Sequence, residues 1–113
     1  MKGTNLGEFQ ELVLLTIGVL YPEAYGVGIK DEIREKTGRK VTLSTVHAAL
    51  NRLEKKGLIS SSFGEATKMR GGKRKRYFTI SAAGVKTLQD VKAQREELWN
   101  AIPSQVFQVN WGV

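Results

Sequence analysis

Apolar residues, with Thr16 among them, recur at helical spacing at the start of the chain: Leu6, Phe9, Leu12, Val13, Leu15, Thr16, Val19 and Leu20. The pattern predicts a first helix over about residues 6–21, ended by Pro22, with Asn5 and Glu8 as a variant capping box. From Leu12 to Leu20 the helix is apolar nearly all round, so it needs cover on more than one side, part of it from a second subunit. Gly26 and Gly28 lie at the entry to a second helix, with Val27, Ile29 and Ile33 as its apolar contacts and Glu32–Lys36 as an i,i+4 pair, and Gly38 stops it. Val41-Thr42 reads as a two-residue strand. Ser44 then caps a third helix that runs to Lys56 and is closed by Gly57.

Alternation replaces the helical period after that glycine. Leu58–Phe63 and Arg76–Ile80 read as two strands of a hairpin with a long, glycine-rich basic tip between them. Ser81 caps a last helix to about Ile102, before Pro103, and the tail beyond is left open between packing and fraying. The order of elements is that of a mainly α (α+β) fold, a winged helix-turn-helix with an N-terminal helix, a two-stranded wing and an appended C-terminal helix. Residues 1–80 would form the winged-helix DNA-binding domain and residues 81–113 the dimerisation helix and tail.

Composition narrows the chemistry. With 113 residues, 41% hydrophobic and 26% charged, the chain suits one soluble domain with an extra helix. It has no Cys and a single His, so neither a disulfide framework nor a zinc cluster is expected, and no metal or cofactor. The first thirty residues carry acids and lack a small-residue cleavage pattern, so neither a signal peptide nor an anchor is read, no membrane partner is expected, and the cytoplasm is the expected location. The net charge of +7 is not spread evenly: residues 38–76 hold 11 basic and 2 acidic side chains, while the remainder is slightly acidic or neutral. Such segregation builds a local field suited to phosphates.

Three features carry candidate chemistry. On the third helix Val46, Ala49, Leu50 and Leu53 form the core stripe, and Ser44, Thr45, Ala48, Asn51, Arg52 and Lys55 form the opposite face, with His47 on its shoulder. Small Thr45 and Ala48 permit close approach to a major groove, Asn51 and Arg52 match adenine and guanine edges, and Ser44 and Thr45 suit a phosphate oxygen. In the hairpin Lys68, Arg70, Lys73, Arg74, Lys75 and Arg76 put six cations into nine residues as the DNA-binding wing. In the last helix Val85, Leu88, Val91, Leu98 and Ile102 trace an apolar seam interrupted by Arg95. Together with Leu6, Phe9, Val13 and Trp99, the residues Leu88, Val91, Arg95, Leu98 and Ile102 form a candidate dimer interface. Trp99 is also the candidate wall of a pocket for a flat hydrophobic, aromatic effector, against plain dimer packing.

At this point the sequence resembles the PadR family of transcriptional regulators. The resemblance rests on Tyr25-Gly26, on the segment from Leu43 to Ile59, and on Gly71-Gly72-Lys73-Arg74-Lys75-Arg76-Tyr77-Phe78-Thr79-Ile80-Ser81-Ala82-Ala83-Gly84. It spans about residues 6–90. It implies a dimeric DNA-binding repressor whose last helix is swapped or packed against the partner's N-terminal helix, similar to the short subgroup with one C-terminal helix. His47 and Phe63 stand where the family commonly has Tyr and Trp, and Trp99 lies about one turn beyond the tryptophan that drug-binding members use.

The reading of function is therefore a homodimeric, sequence-specific regulator of double-stranded DNA, a repressor of a pseudo-palindromic operator. The rival is a basic module for an acidic protein or structured RNA without operator specificity. No nucleophile–base pair, phosphate loop or carboxylate cluster points to an enzyme.

Overall fold

The structure, a computed structural model, describes residues 6–64 and 74–108. Three helices come first: α1 (Glu8–Leu20), α2 (Gly26–Thr37) and α3 (Leu43–Lys55). Two strands follow, β1 (Ile59–Phe63) and β2 (Arg76–Ile80), then the long α4 (Ala82–Ala101) and the short α5 (Ser104–Phe107).

Each helix packs through the stripe that its apolar spacing dictates. Val13, Leu14 and Ile17 of α1, Ile29 and Ile33 of α2, and Val46, Ala49, Leu50 and Leu53 of α3 meet in one buried cluster with Ala24, Leu58, Ile59 and Phe78. α1 is not covered all round: Leu15 and Val19 remain exposed, as does Val27 of α2, which contributes no core contact of the kind expected. Both helix stops at glycine hold, because Gly38 and Gly57 adopt left-handed backbone at φ 73° and 75°, where a Cβ is strained.

Three local expectations are corrected. Val41-Thr42 is not a strand; the bridge to the sheet comes instead from Ala24, paired with Phe78. Thr42, not Ser44, caps α3: its hydroxyl accepts the Thr45 N–H at 3.1 Å, and Ser44 is already helical. At the start of α1 the cap position is Gly7 with no side-chain bond; Asn5 lies outside the described residues. The tail, which the sequence left open, turns into α5 after Pro103.

The hairpin is antiparallel, with Ile59 opposite Ile80, Ser61 opposite Phe78 and Phe63 opposite Arg76. Paired residues share a face, so Ile59, Phe78 and Ile80 sit toward the core while Phe63 and Arg76 continue the same face outward. Ser81 joins sheet to helix: its hydroxyl donates to the Gly57 carbonyl at 2.6 Å and accepts the Gly84 N–H at 3.1 Å, capping α4. This is a winged helix-turn-helix, mainly α with a two-stranded wing, extended by a C-terminal helix whose residues 92–101 are all exposed.

Candidate nucleic-acid interface

The buried stripe of α3 fixes which side of the helix is left to solvent. Ser44, Thr45, Ala48, Asn51, Arg52 and Lys55 are all exposed, so the six residues assigned to one face by periodicity stand together on it. Among the described residues no ion pair engages Arg52 or Lys55. His47 is exposed but leans toward α2: a Cβ placed on Gly26 would lie 3.1 Å from its Cε1 and Nε2. Its shoulder position therefore follows from packing against the start of that helix.

A groove of roughly 520 Å³ runs between this face and the first residues of α1, lined by Gly7, Phe9, Gln10, Thr45, Ala48 and Arg52. Glu8 also borders it, and a bare carboxylate there would repel a polyanion. Arg39 answers that charge, donating to both Glu8 oxygens at 2.7 and 3.0 Å while its guanidinium lies 5.3 Å from the Phe9 ring centre. The hydrogen bond from Arg39 holds the Glu8 carboxyl below its ordinary 4.5, and the same bond raises the arginine. The sequence offers Glu8 only as half of a capping box and Arg39 not at all, since the two stand 31 positions apart.

On the other flank lies the wing. Lys68, Arg70 and Lys73 lie outside the described residues. Arg74 is exposed with its guanidinium 5.8 Å from the Phe63 ring centre, and Lys75 places its ammonium 4.1 Å from that of Tyr25. Tyr25 in turn meets Tyr77 edge-on at 6.2 Å, so the base of the wing is propped on aromatic surface. Arg76, also assigned to the wing from the sequence, differs from its described neighbours in having a carboxylate partner. Its Nη2 donates to Glu54 Oε1 at 2.6 Å and its Nε to Ser61 Oγ at 3.1 Å, so its charge is already partnered. Glu54 and Ser61 carried no sequence signal for this, since the contact joins residues brought together by the sheet.

The seam of α4 divides into two parts. Val13 is fully buried in the chain's own core, so it faces no partner, which corrects its assignment to an interface. Leu6, Phe9 and Leu88 pack half-buried against that core and Val91 is 7% exposed. Arg95 donates to Glu11 at 2.7 Å and ties α4 to α1. Beyond it, Leu98 and Trp99 are 68% and 63% exposed although apolar, and Ile102 is half-buried. These three, with Leu15 and Arg95, line a groove of roughly 830 Å³. Phe107 of α5 lies against Trp99 with ring centres 5.2 Å apart. Among the described residues no helix is long and apolar enough to cross a membrane.

Comparison with known proteins agrees with this geometry. The model of the transcriptional regulator PadR-like family matches residues 13–90. A solved transcriptional regulator from Clostridium thermocellum is 30% identical, with 80% of this chain and 82% of that one covered and a TM-score of 0.64. A PadR family transcriptional regulator from Eggerthella lenta is 25% identical over 91% of this chain and 88% of its own, with a TM-score of 0.68. A PadR-like transcriptional regulator from Bacillus cereus, 18% identical over 90% and 93%, shares the fold with a TM-score of 0.71. A search of curated proteins found no match.

Proposed function

This chain belongs to the transcriptional regulator PadR-like family, and from that premise we propose that it acts as a homodimeric, sequence-specific repressor of a pseudo-palindromic operator. The coarser part follows from membership: it is a DNA-binding transcriptional regulator and not an enzyme. One observation carries the finer part, the gathering of Ser44, Thr45, Ala48, Asn51, Arg52 and Lys55 on a single uncovered helix face beside a basic hairpin.

In this reading α3 enters the major groove. Thr45 and Ala48 allow close approach, Asn51 presents its amide to an adenine edge and Arg52 its guanidinium to a guanine edge, while Ser44 and Lys55 reach phosphate, with His47 at the margin. Arg74 and Lys75, with Lys68, Arg70 and Lys73 on the strength of the sequence alone, add phosphate contacts that depend on salt. Sequence would be read mainly by the helix and affinity supplied mainly by the wing.

Dimerisation is supported by the far half of α4, where Leu98 and Trp99 stand out of any core the described residues provide, and where exposed Leu15 of α1 lines the same groove. A second copy covering the groove at Leu15, Arg95, Leu98, Trp99 and Ile102 would bury this surface and set two α3 helices about one helical turn, ~34 Å, or a multiple of it apart. A flat hydrophobic effector stacked on Trp99 within that interface would loosen the pair and release the operator.

Selection of duplexes from a random pool at about 0.15 M salt tests the reading. The expected product is an inverted repeat with half-sites near one helical turn or a multiple of it apart, bound by a dimer in sedimentation that Leu98→Asp dissociates. Absence of any enriched sequence, with RNA and heparin bound equally well, would return the chain to a basic interaction module.

A further inference from the structure

A two-stranded ribbon that leaves the core has little of its own to hold its direction. The wing begins in this way: its inner face passes from Ile59 and Ile80 through Ser61 and Phe78 to Phe63 and Arg76, and along β1 it goes from buried Ile59 through half-buried Ser61 to exposed Phe63. Where it passes the end of α3, three side chains close a ring. Glu54 Oε1 accepts Arg76 Nη2 at 2.6 Å, Glu54 Oε2 accepts the Ser61 hydroxyl at 2.9 Å, and Ser61 Oγ accepts Arg76 Nε at 3.1 Å. The ring therefore includes one residue from each of α3, β1 and β2.

We infer that Glu54 and Arg76 are a clasp that fixes the direction of the wing relative to the reading helix, so that an acidic residue inside a DNA-binding face strengthens binding. The inference rests on the proposed sharing of one duplex by α3 and the hairpin. Three observations support it. Both Glu54 oxygens and two of the arginine's nitrogens are engaged, which sets angle as well as distance. The guanidinium carbon lies 5.1 Å from the ring centre of Phe78, a side chain locked in the core at 1% exposure, so the arginine rests on a fixed surface. The two charged side chains are 40% and 34% exposed, and so better shielded than ordinary surface pairs. Immediately outward lie Arg74 and Lys75, whose reach to phosphate depends on where the ribbon points.

The sign of one substitution separates this role from a direct phosphate contact by Arg76. If Arg76 merely met phosphate, Glu54→Gln would remove a repulsive charge and free the cation, so affinity would rise, and Arg76→Lys would be tolerated. With the clasp, Glu54→Gln, Arg76→Gln and Arg76→Lys all bind the selected duplex about threefold to tenfold more weakly, the range for groups coupled in one network. Pairing Glu54→Arg with Arg76→Glu restores much of the loss. Ser61→Ala removes a corner of the ring and no charge, and keeps the test readable if a charge variant melts early; about a twofold loss is expected.

A second readout needs no DNA. The Gly64 N–H donates to the Lys75 carbonyl at 2.8 Å at the outer end of the described ladder. Its hydrogen exchange should quicken in Glu54→Gln and in Ser61→Ala while exchange in α1 is unchanged. Unchanged exchange at Gly64, or a Glu54→Gln affinity at or above that of the wild-type chain, overturns the clasp. A wild-type chain that binds no duplex refutes the proposed function instead, and the exchange measurement still decides whether the ring holds the ribbon.

Discussion

Replacing Gly84 with Ala should damage this protein although alanine is the better helix former. Gly84 is buried in the first turn of α4, and a Cβ built there would drive into the carbonyl oxygen of Leu58 and lie 2.7 Å from Ile80 Cγ2. The Leu58 oxygen cannot swing aside, because the Ser81 N–H donates to it at 3.0 Å and the chain there is the link between α3 and β1. α4 must therefore move off the sheet, at the expense of the Ser81 cap and the contacts of Leu88 and Val91. Overpacking costs about 1–3 kcal/mol, and a clash with fixed backbone belongs at the top of that range. Helix propensity returns about 1 kcal/mol, leaving a net loss of about 2 kcal/mol. At about 4 °C per kcal/mol for a chain of this size, the melting temperature falls by roughly 8 °C. Thermal unfolding followed by circular dichroism, at one protein concentration so that assembly does not confound the comparison, provides the assay. Gly7→Ala, whose Cβ would meet nothing within 4 Å, is the comparison without overpacking, and should lose less than about 1 kcal/mol through a poorer helix cap. A Gly84→Ala protein melting within about 2 °C of wild type would refute the reasoning.

Thr42→Ala should cost about 1 kcal/mol by removing the cap of α3, and Ser44→Ala clearly less; equal losses in urea titration would place the cap wrongly. Glu8 carries a carboxyl whose folded value is depressed below 4.5, so its bond to Arg39 stabilises the fold above that pH and is lost as pH falls through the lowered value. The difference in melting temperature between wild type and Glu8→Gln should accordingly shrink between pH 6 and pH 3, and a gap that widens on acidification would contradict the assignment. Asn51→Ala or Arg52→Ala should cost about 1–3 kcal/mol on the selected operator and little on random duplex, as read by competition binding. Lys55→Ala should weaken both kinds of duplex alike and lower the salt slope by about one, and a change in base preference would move it to the reading group.

Much of this molecule is written in local spacing. The stripe of Val46, Ala49, Leu50 and Leu53 determines the inner face of α3, and by exclusion the outer one, because 3.6 residues per turn leave no other arrangement. The Gly38 and Gly57 stops, the Ser81 cap and the β2 boundaries at Arg76 and Ile80 are equally local, as each depends on a backbone conformation or an alternation within a few residues. Thr42 and Ser44 show the limit of that method, since two hydroxyls two residues apart are equal candidates until the path of the incoming chain selects one. The remainder was decided only when distant segments met. Val13 could be assigned to a seam or to the core by periodicity alone, and the packing of α1 against α2 and α3 put it in the core. Six cations in nine residues look alike in sequence, yet of the three that are described Arg76 alone pairs with Glu54, 22 positions earlier, because the register of the hairpin carries it past the end of α3. Helical period and capping act over a turn, so sequence determined the main helices, the hairpin and their faces; electrostatic partnership acts through space, so the tertiary fold decided which of the described charges are already partnered.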